Sequence, residues 1–206
     1  MLLVTPERAP LEAFGRRIGA AVRDLAGERE VMLVTDATAE QFSGGSLRLA
    51  DGGRLRAERA IALPRLRGPE IAGLPRDPDG FIPIDDASRV TGLERVWAAG
   101  DATTFPIKQG GVAAHHADAA AQSIALAAGI PADPTPFRPV LRAVLLTGEA
   151  PLYLRRTLAD PDDPAGDTAS LATHPFWWPP DKIAGRYLAP FLSAMAERAP
   201  AARAAG

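Results

Sequence analysis

The residues of this chain best suited to chemistry lie between Arg95 and His116, in the run RVWAAGDATTFPIKQGGVAAHH. A short apolar strand is expected to end in Gly100-Asp101, where Ala98, Ala99 and Gly100 are small enough to let the backbone approach a bound molecule. Asp101 then falls just beyond the carboxyl end of that strand, the place where open α/β sheets bind ligands. Its carboxylate can accept a hydrogen bond from a ligand hydroxyl. After Lys108-Gln109, the pair Gly110-Gly111 opens an Ala-rich segment expected to be helical over 111–127. The first N–H groups of a helix have no partner within it, and the macrodipole places about half a positive charge there. The backbone from Gln109 to Val112 therefore suits an anionic edge, and Lys108 could add a full charge.

Taken together, Ala99-Gly100-Asp101-Ala102 and Pro106-Ile107-Lys108-Gln109-Gly110-Gly111 resemble the second flavin-binding motif of flavoproteins with two dinucleotide-binding domains. Within that group the resemblance is to type II NADH dehydrogenases and sulfide:quinone-oxidoreductase-like enzymes. It implies FAD as cofactor, NAD(P)H as hydride donor, and a quinone or other small molecule as electron acceptor. By resemblance, Asp101 on the Gly100 turn takes a hydroxyl of the FAD ribitol, and the backbone of Gln109, Gly110, Gly111 and Val112 faces the N1/C2=O edge of the isoalloxazine ring. A flavin reduced by hydride gains negative charge near N1, so a preorganised positive helix end stabilises the reduced state. No catalytic acid, base or nucleophile is implied; the protein binds, orients and supplies electrostatics. A lone Gly-Asp, without the second stretch, would read as small residues kept for packing.

The elements that must position these residues can be read along the chain. Leu2–Val4 looks like the end of a strand. An amphipathic helix follows over 11–26, its apolar positions Leu11, Phe14, Ile18, Val22 and Leu25 spaced by threes and fours. Val31–Thr35 reads as the next strand, and Ser46–Ala50 with Arg54–Leu63 as a hairpin turning at Asp51-Gly52-Gly53. This order resembles the later half of the NAD(P)H-binding domain of the same flavoproteins, from its second parallel strand onward. Glu7 sits where an acidic residue at a strand end would bind the adenosine ribose. Arg8 beside it would instead favour a 2′-phosphate, leaving NADH and NADPH both open, and a solvated charge is the plain alternative for Glu7.

A short strand Phe81–Ile84 leads back to the Gly100-Asp101 segment, and the Pro-rich linker 129–136 marks a boundary. Beyond it, Phe137–Thr147 and Leu152–Leu158 read as paired strands, 159–168 as an acidic surface loop, and 181–198 as a helix that Pro190 bends. Its face carries Ile183, Tyr187, Phe191 and Met195. The fold class is therefore α/β, with incomplete Rossmann-like FAD/NAD(P)-binding units and a C-terminal α+β domain. The expected divisions are 1–73 for the later half of the NAD(P)H-binding domain, 74–130 for part of the FAD-binding domain and 131–206 for an interface or cap domain.

Several residues invite sharper readings and are assigned plainer ones. Trp177 and Trp178 could shield a flavin, contact a quinone or anchor the chain at a membrane, but large aromatics are mostly buried payload. His115 and His116 are neighbours on the expected helix, point about 100° apart and so do not converge on one metal, although one of them could lie near the flavin. His174 reads as a cap or packing residue rather than a base.

No G-x-G-x-x-G loop occurs anywhere in the 206 residues. Such loops normally carry dinucleotide pyrophosphates, and both of the family's loops would lie before Met1. The expectation is that Met1 is not the biological start, that a separate chain supplies the other half, or that the protein is a truncated, non-catalytic remnant serving at most in binding or self-association. Alone it should bind FAD weakly or not at all. With 47% hydrophobic residues the chain can bury one good core or two small ones. A net charge of −2 gives no footprint for nucleic acid. Nothing approaches the ~20 apolar residues of a membrane span, so a cytoplasmic setting is expected, with peripheral contact at the inner face of a membrane open. Zero cysteines exclude a redox-active pair in this sequence. A homodimer is a further expectation from the family's C-terminal domain.

Overall fold

The computed structural model describes residues 1–133, 137–158, 163–177 and 186–198, with side chains through Met195. The fold is α/β and divides into two compact units, one comprising Met1–Leu66, Leu154–Arg156 and Pro161–Leu171, the other Arg67–Tyr153, Thr157–Asp160 and Ala172–Gly206.

In the first unit Leu2–Val4 (β1) and Met32–Val34 (β2) pair in parallel, Leu2 opposite Met32 and Val4 opposite Val34. A parallel pair needs a crossover, and Arg16–Glu28 (α1) supplies it by burying Ile18. The helix expected over 11–26 thus begins later, after a 3-10 turn at Glu12–Phe14. Leu11 (φ 57°) and Gly15 (φ 88°) adopt left-handed backbone, which a right-handed helix cannot contain. The same unit holds an antiparallel meander of Ala39–Ser43 (β3), Ser46–Leu49 (β4) and Arg54–Arg56 (β5). The hairpin β4-β5 was expected, but its second strand stops at Arg56 instead of Leu63. Arg56 pairs with Ser46, and beyond Ser46 the chain turns through Gly44-Gly45 into β3. The following residues run past the end of the ladder, and Ile61 and Leu63 are almost fully exposed. β3 had no signal in the sequence, because all five of its residues are exposed and none alternates with a buried neighbour.

The second unit is organised along Gly110–Ala127 (α2), the helix expected over 111–127. It buries Val112, Ala114, His116 and Ala120, while Ile82 and Val90 are also buried. Phe81–Ile84 is not a strand. Ile82 and Ile84 make single bridges, to Thr103 and Val90, and Pro83 between them has no N–H to extend a ladder. The segment entering Gly100 likewise makes one bridge, Arg89 to Trp97, rather than a sheet strand.

Val140–Leu145 (β6), Leu152–Thr157 (β7) and Ser170–Ala172 (β8) form a sheet in that order. The first two lie inside the expected strands; β8 was not anticipated. The last helix among the described residues is Leu188–Arg198 (α3). Residues 181–185 of the expected helix, Ile183 among them, and Trp178 lie outside the described residues. Pro190 falls in the first turn of α3, where its missing N–H disrupts no helical bond, so it needs no bend. Tyr187, Phe191 and Met195 are exposed. Trp177, half-buried, packs edge-on against Tyr153 and Phe176 at 5.7 and 5.1 Å. His174 is exposed, so it packs into no core.

Candidate functional site

α2 starts where Gln109, in extended backbone (φ −157°, ψ 137°), hands over to Gly110-Gly111. Among the described residues no side chain caps this end. The Gln109 amide instead donates from Nε2 to the Arg142 carbonyl at 2.6 Å. The Ala113 N–H reaches the Gln109 carbonyl at 2.8 Å, so the N–H groups of Gly110, Gly111 and Val112 precede the first helical bond. Gly110 is exposed, whereas Gly111 and Val112 are buried.

Gly100–Ala102 forms a 3-10 turn that sits directly on α2. A Cβ added to Gly100 would lie 3.2 Å from the Cβ of Ala113, and Gly100 itself has φ 78°, so glycine serves here both for space and for conformation. Two hydrogen bonds tie the approach to the helix. Trp97 donates from Nε1 to Ser123 Oγ at 2.8 Å, and the Gly100 N–H donates to His116 Nδ1 at 3.4 Å. The Gly100 carbonyl accepts from Thr103 Oγ1 at 2.8 Å, and Thr103 is fully buried. Asp101, carried on this turn, is exposed, and among the described residues its carboxylate accepts no hydrogen bond.

Lys108 folds back over the loop that joins the turn to α2. Its ammonium donates to the carbonyls of Thr103 and Phe105, the latter at 2.7 Å, and lies 3.8 Å from the centre of the Phe81 ring. Burial lowers its pKa below the ordinary lysine value, opposed by the charges of Asp101 and Asp77. Its first role is thus to close the loop between Thr103 and α2, with its charge near Asp101.

Beneath the turn lies His116, 2% exposed. Its ring stacks on Phe137 at 4.4 Å and meets the edge of Phe105 at 4.9 Å. Burial chiefly, then the charges of Lys108 and His115, push its pKa down to about 4 against the opposing effect of Asp101. His115 turns elsewhere and accepts the Val140 N–H at Nδ1, 3.2 Å away.

The structure therefore brings Gly100, Asp101, Lys108, Gln109, Gly110, Gly111 and Val112 together around one end of α2. Glu7 belongs to the other unit. It follows β1, its N–H donates to Thr5 Oγ1 at 3.2 Å, and its carbonyl accepts from Asp36 N–H. Sequence reasoning placed one of His115 and His116 near the flavin without choosing between them, and passed over Thr103. A signal for His116 existed: Val112, His116 and Ala120 recur at four-residue spacing, which is the buried face of α2.

Residues 1–123 match the family model described as pyridine nucleotide-disulphide oxidoreductase. No curated protein sequence matches the chain. Among solved structures, it is similar to the sulfide:quinone oxidoreductase of the hyperthermophilic bacterium Aquifex aeolicus, with a TM-score of 0.64 and 14% identity over 96% of this chain and 48% of that one. It is also similar to LpdA from Mycobacterium tuberculosis (TM-score 0.54, 19% identity, 74% of this chain and 34% of that one). A third likeness is to an FAD-dependent pyridine nucleotide-disulphide oxidoreductase from Desulfovibrio vulgaris (TM-score 0.50, 17% identity, 76% and 42%). At these identities the likeness is one of fold, and the chain spans less than half the length of each of these structures. With the model covering more than half of its residues, the chain belongs to the pyridine nucleotide-disulphide oxidoreductase family.

Proposed function

We propose that this chain supplies the ribitol and ring half of an FAD site in an oxidoreductase that takes hydride from NAD(P)H and passes electrons to a quinone or another small acceptor. One observation carries the reading: the Gly100-Asp101 turn is seated on the start of α2, so a carboxylate that accepts no hydrogen bond among the described residues and a helix end without a side-chain cap occur together. The donor set fits a flavin. Asp101 accepts from a ribitol hydroxyl, and the Gln109–Val112 backbone turns its positive end to the N1/C2=O edge. Bound FAD would supply the hydride-accepting ring, while the chain's own residues bind and orient it. Glu7, after β1, is proposed to accept from the adenosine ribose of NAD(P)H, with exposed Arg8 beside it.

The name of the Aquifex aeolicus neighbour supports a quinone as acceptor. With no cysteine in the sequence, electrons leave without a thiol from these residues. The proposed setting is the cytoplasm or the inner face of a membrane; among the described residues no helix is long and apolar enough to cross one. We assign 1–73 to the nicotinamide nucleotide, 74–130 to the flavin and 131–206 to acceptor or dimer contacts.

A second reading is favoured by the absence of any G-x-G-x-x-G loop: a non-catalytic module for binding or self-association. NAD(P)H oxidation by the purified chain, supplied with FAD and a soluble quinone, separates the two. A flavin-dependent rate that falls in Asp101→Asn supports the first reading and overturns the second, and a colourless protein that takes up no FAD and shows no rate rules out catalysis by this chain alone.

A further inference from the structure

We infer that His116 positions the Gly100-Asp101 turn, holding the Gly100 N–H with a ring nitrogen fixed in a single tautomer. The ring is buried between Phe137, stacked at 4.4 Å and 22°, and the edge of Phe105 at 4.9 Å, so its orientation is set by packing. In that orientation Nδ1 accepts the Gly100 N–H at 3.4 Å. A neutral imidazole carries one proton, so with Nδ1 accepting, the proton resides on Nε2. Nε2 is buried and has no hydrogen-bond partner among the described residues. An apolar ring of similar size would fill the same space without that cost. What the histidine adds is the acceptor for Gly100.

Both backbone groups of Gly100 are then held: its N–H by His116 and its carbonyl by Thr103 Oγ1 at 2.8 Å. The peptide entering Asp101 is fixed, and with it the backbone from which the carboxylate projects. The backbone of His116 adds a third tie, its carbonyl accepting from buried Ser88 Oγ at 3.3 Å. The charged and titratable groups acting on the ring are Lys108 from the loop before α2, His115 from α2 itself and Asp101 from the turn. Burial, Lys108 and His115 favour the neutral ring, so Nδ1 remains an acceptor across the physiological range.

This role rests on the flavin reading only for what Asp101 binds, and its test needs no flavin. In the isotopically labelled full chain, ring-nitrogen NMR from about pH 5 to 8 is expected to show His116 with Nε2 protonated and Nδ1 bare throughout. Amide exchange is expected to protect Gly100. His116→Asn, whose Oδ1 can take the place of Nδ1, should keep that protection, whereas His116→Phe should speed Gly100 exchange by about tenfold or more and leave the Val90 amide unchanged. An Nδ1-protonated ring in the wild type, or equal Gly100 exchange in wild type and His116→Phe, would overturn the inference. If the Phe variant does not fold, the wild-type tautomer decides alone. Flavin binding by Asp101→Asn tests the preceding reading separately.

Discussion

Asp101 and His116 form a pair of opposites within one site. Asp101 is exposed and, among the described residues, accepts no hydrogen bond, so the fold gains little from it. Asp101→Asn should leave unfolding stability within about 0.5 kcal/mol of wild type in a denaturant titration. His116 is buried and held neutral, with its pKa lowered to about 4. Above about pH 6.5 it is neutral whether the chain is folded or unfolded, and it contributes no pH dependence. Between about 6.5 and 4 the unfolded chain binds a proton that the folded chain refuses, so stability falls as pH falls; below about 4 it levels off. The loss attributable to this residue is about 3 kcal/mol. Urea unfolding at several pH values should show that slope in wild type and a shallower one in His116→Phe. A slope unchanged by the substitution would show that His116 does not titrate in this way.

At the scale of elements, two glycines decide where chain segments begin. Gly15 combines φ 88° with contact against the Gly166 backbone, into which a Cβ would be driven. Gly15→Ala is therefore expected to destabilise the first unit by about 2–4 kcal/mol, measured by chemical denaturation. At Gly100 the added methyl would press on Ala113 and force a non-glycine residue to φ 78°. Gly100→Ala should shift the turn, costing about 1–2 kcal/mol and weakening any ligand that Asp101 holds. These positions also show what the sequence could and could not reveal. α2 was legible from its glycine start, its alanine run and the linker that ends it. The delayed start of α1 was not, because Leu11, Phe14 and Ile18 keep helical spacing across a break that Gly166, far along the chain, helps to set. The strand expected before Gly100 has the right residues, but the described part of the chain offers it one bridge and no ladder. In the site, Gly100-Asp101 and Lys108–Val112 could be read as a motif. His116 could be read only as one of two neighbouring histidines, either of which could face the site, and Thr103 could not be read at all, since its importance lies in what it touches.

For the whole molecule, residues 1–123 carry the family match, while the chain covers 34 to 48% of the three structures named above. The family is thus clear, and the site proposed for it is half a flavin site, the half that would meet ribitol and ring. No glycine-rich loop for a pyrophosphate occurs in the sequence. Ligand preference should follow from that division, because riboflavin already contains the parts that Asp101 and the start of α2 are proposed to meet. The AMP portion of FAD should add little. The most direct measurement is therefore a fluorescence titration of wild-type and Asp101→Asn protein with riboflavin and with FAD. Saturable binding is expected for both flavins, weak and equal within about threefold, and reduced about tenfold by Asp101→Asn. Flavin binding that is absent, or that is the same in wild type and Asp101→Asn, would contradict the assignment of this site.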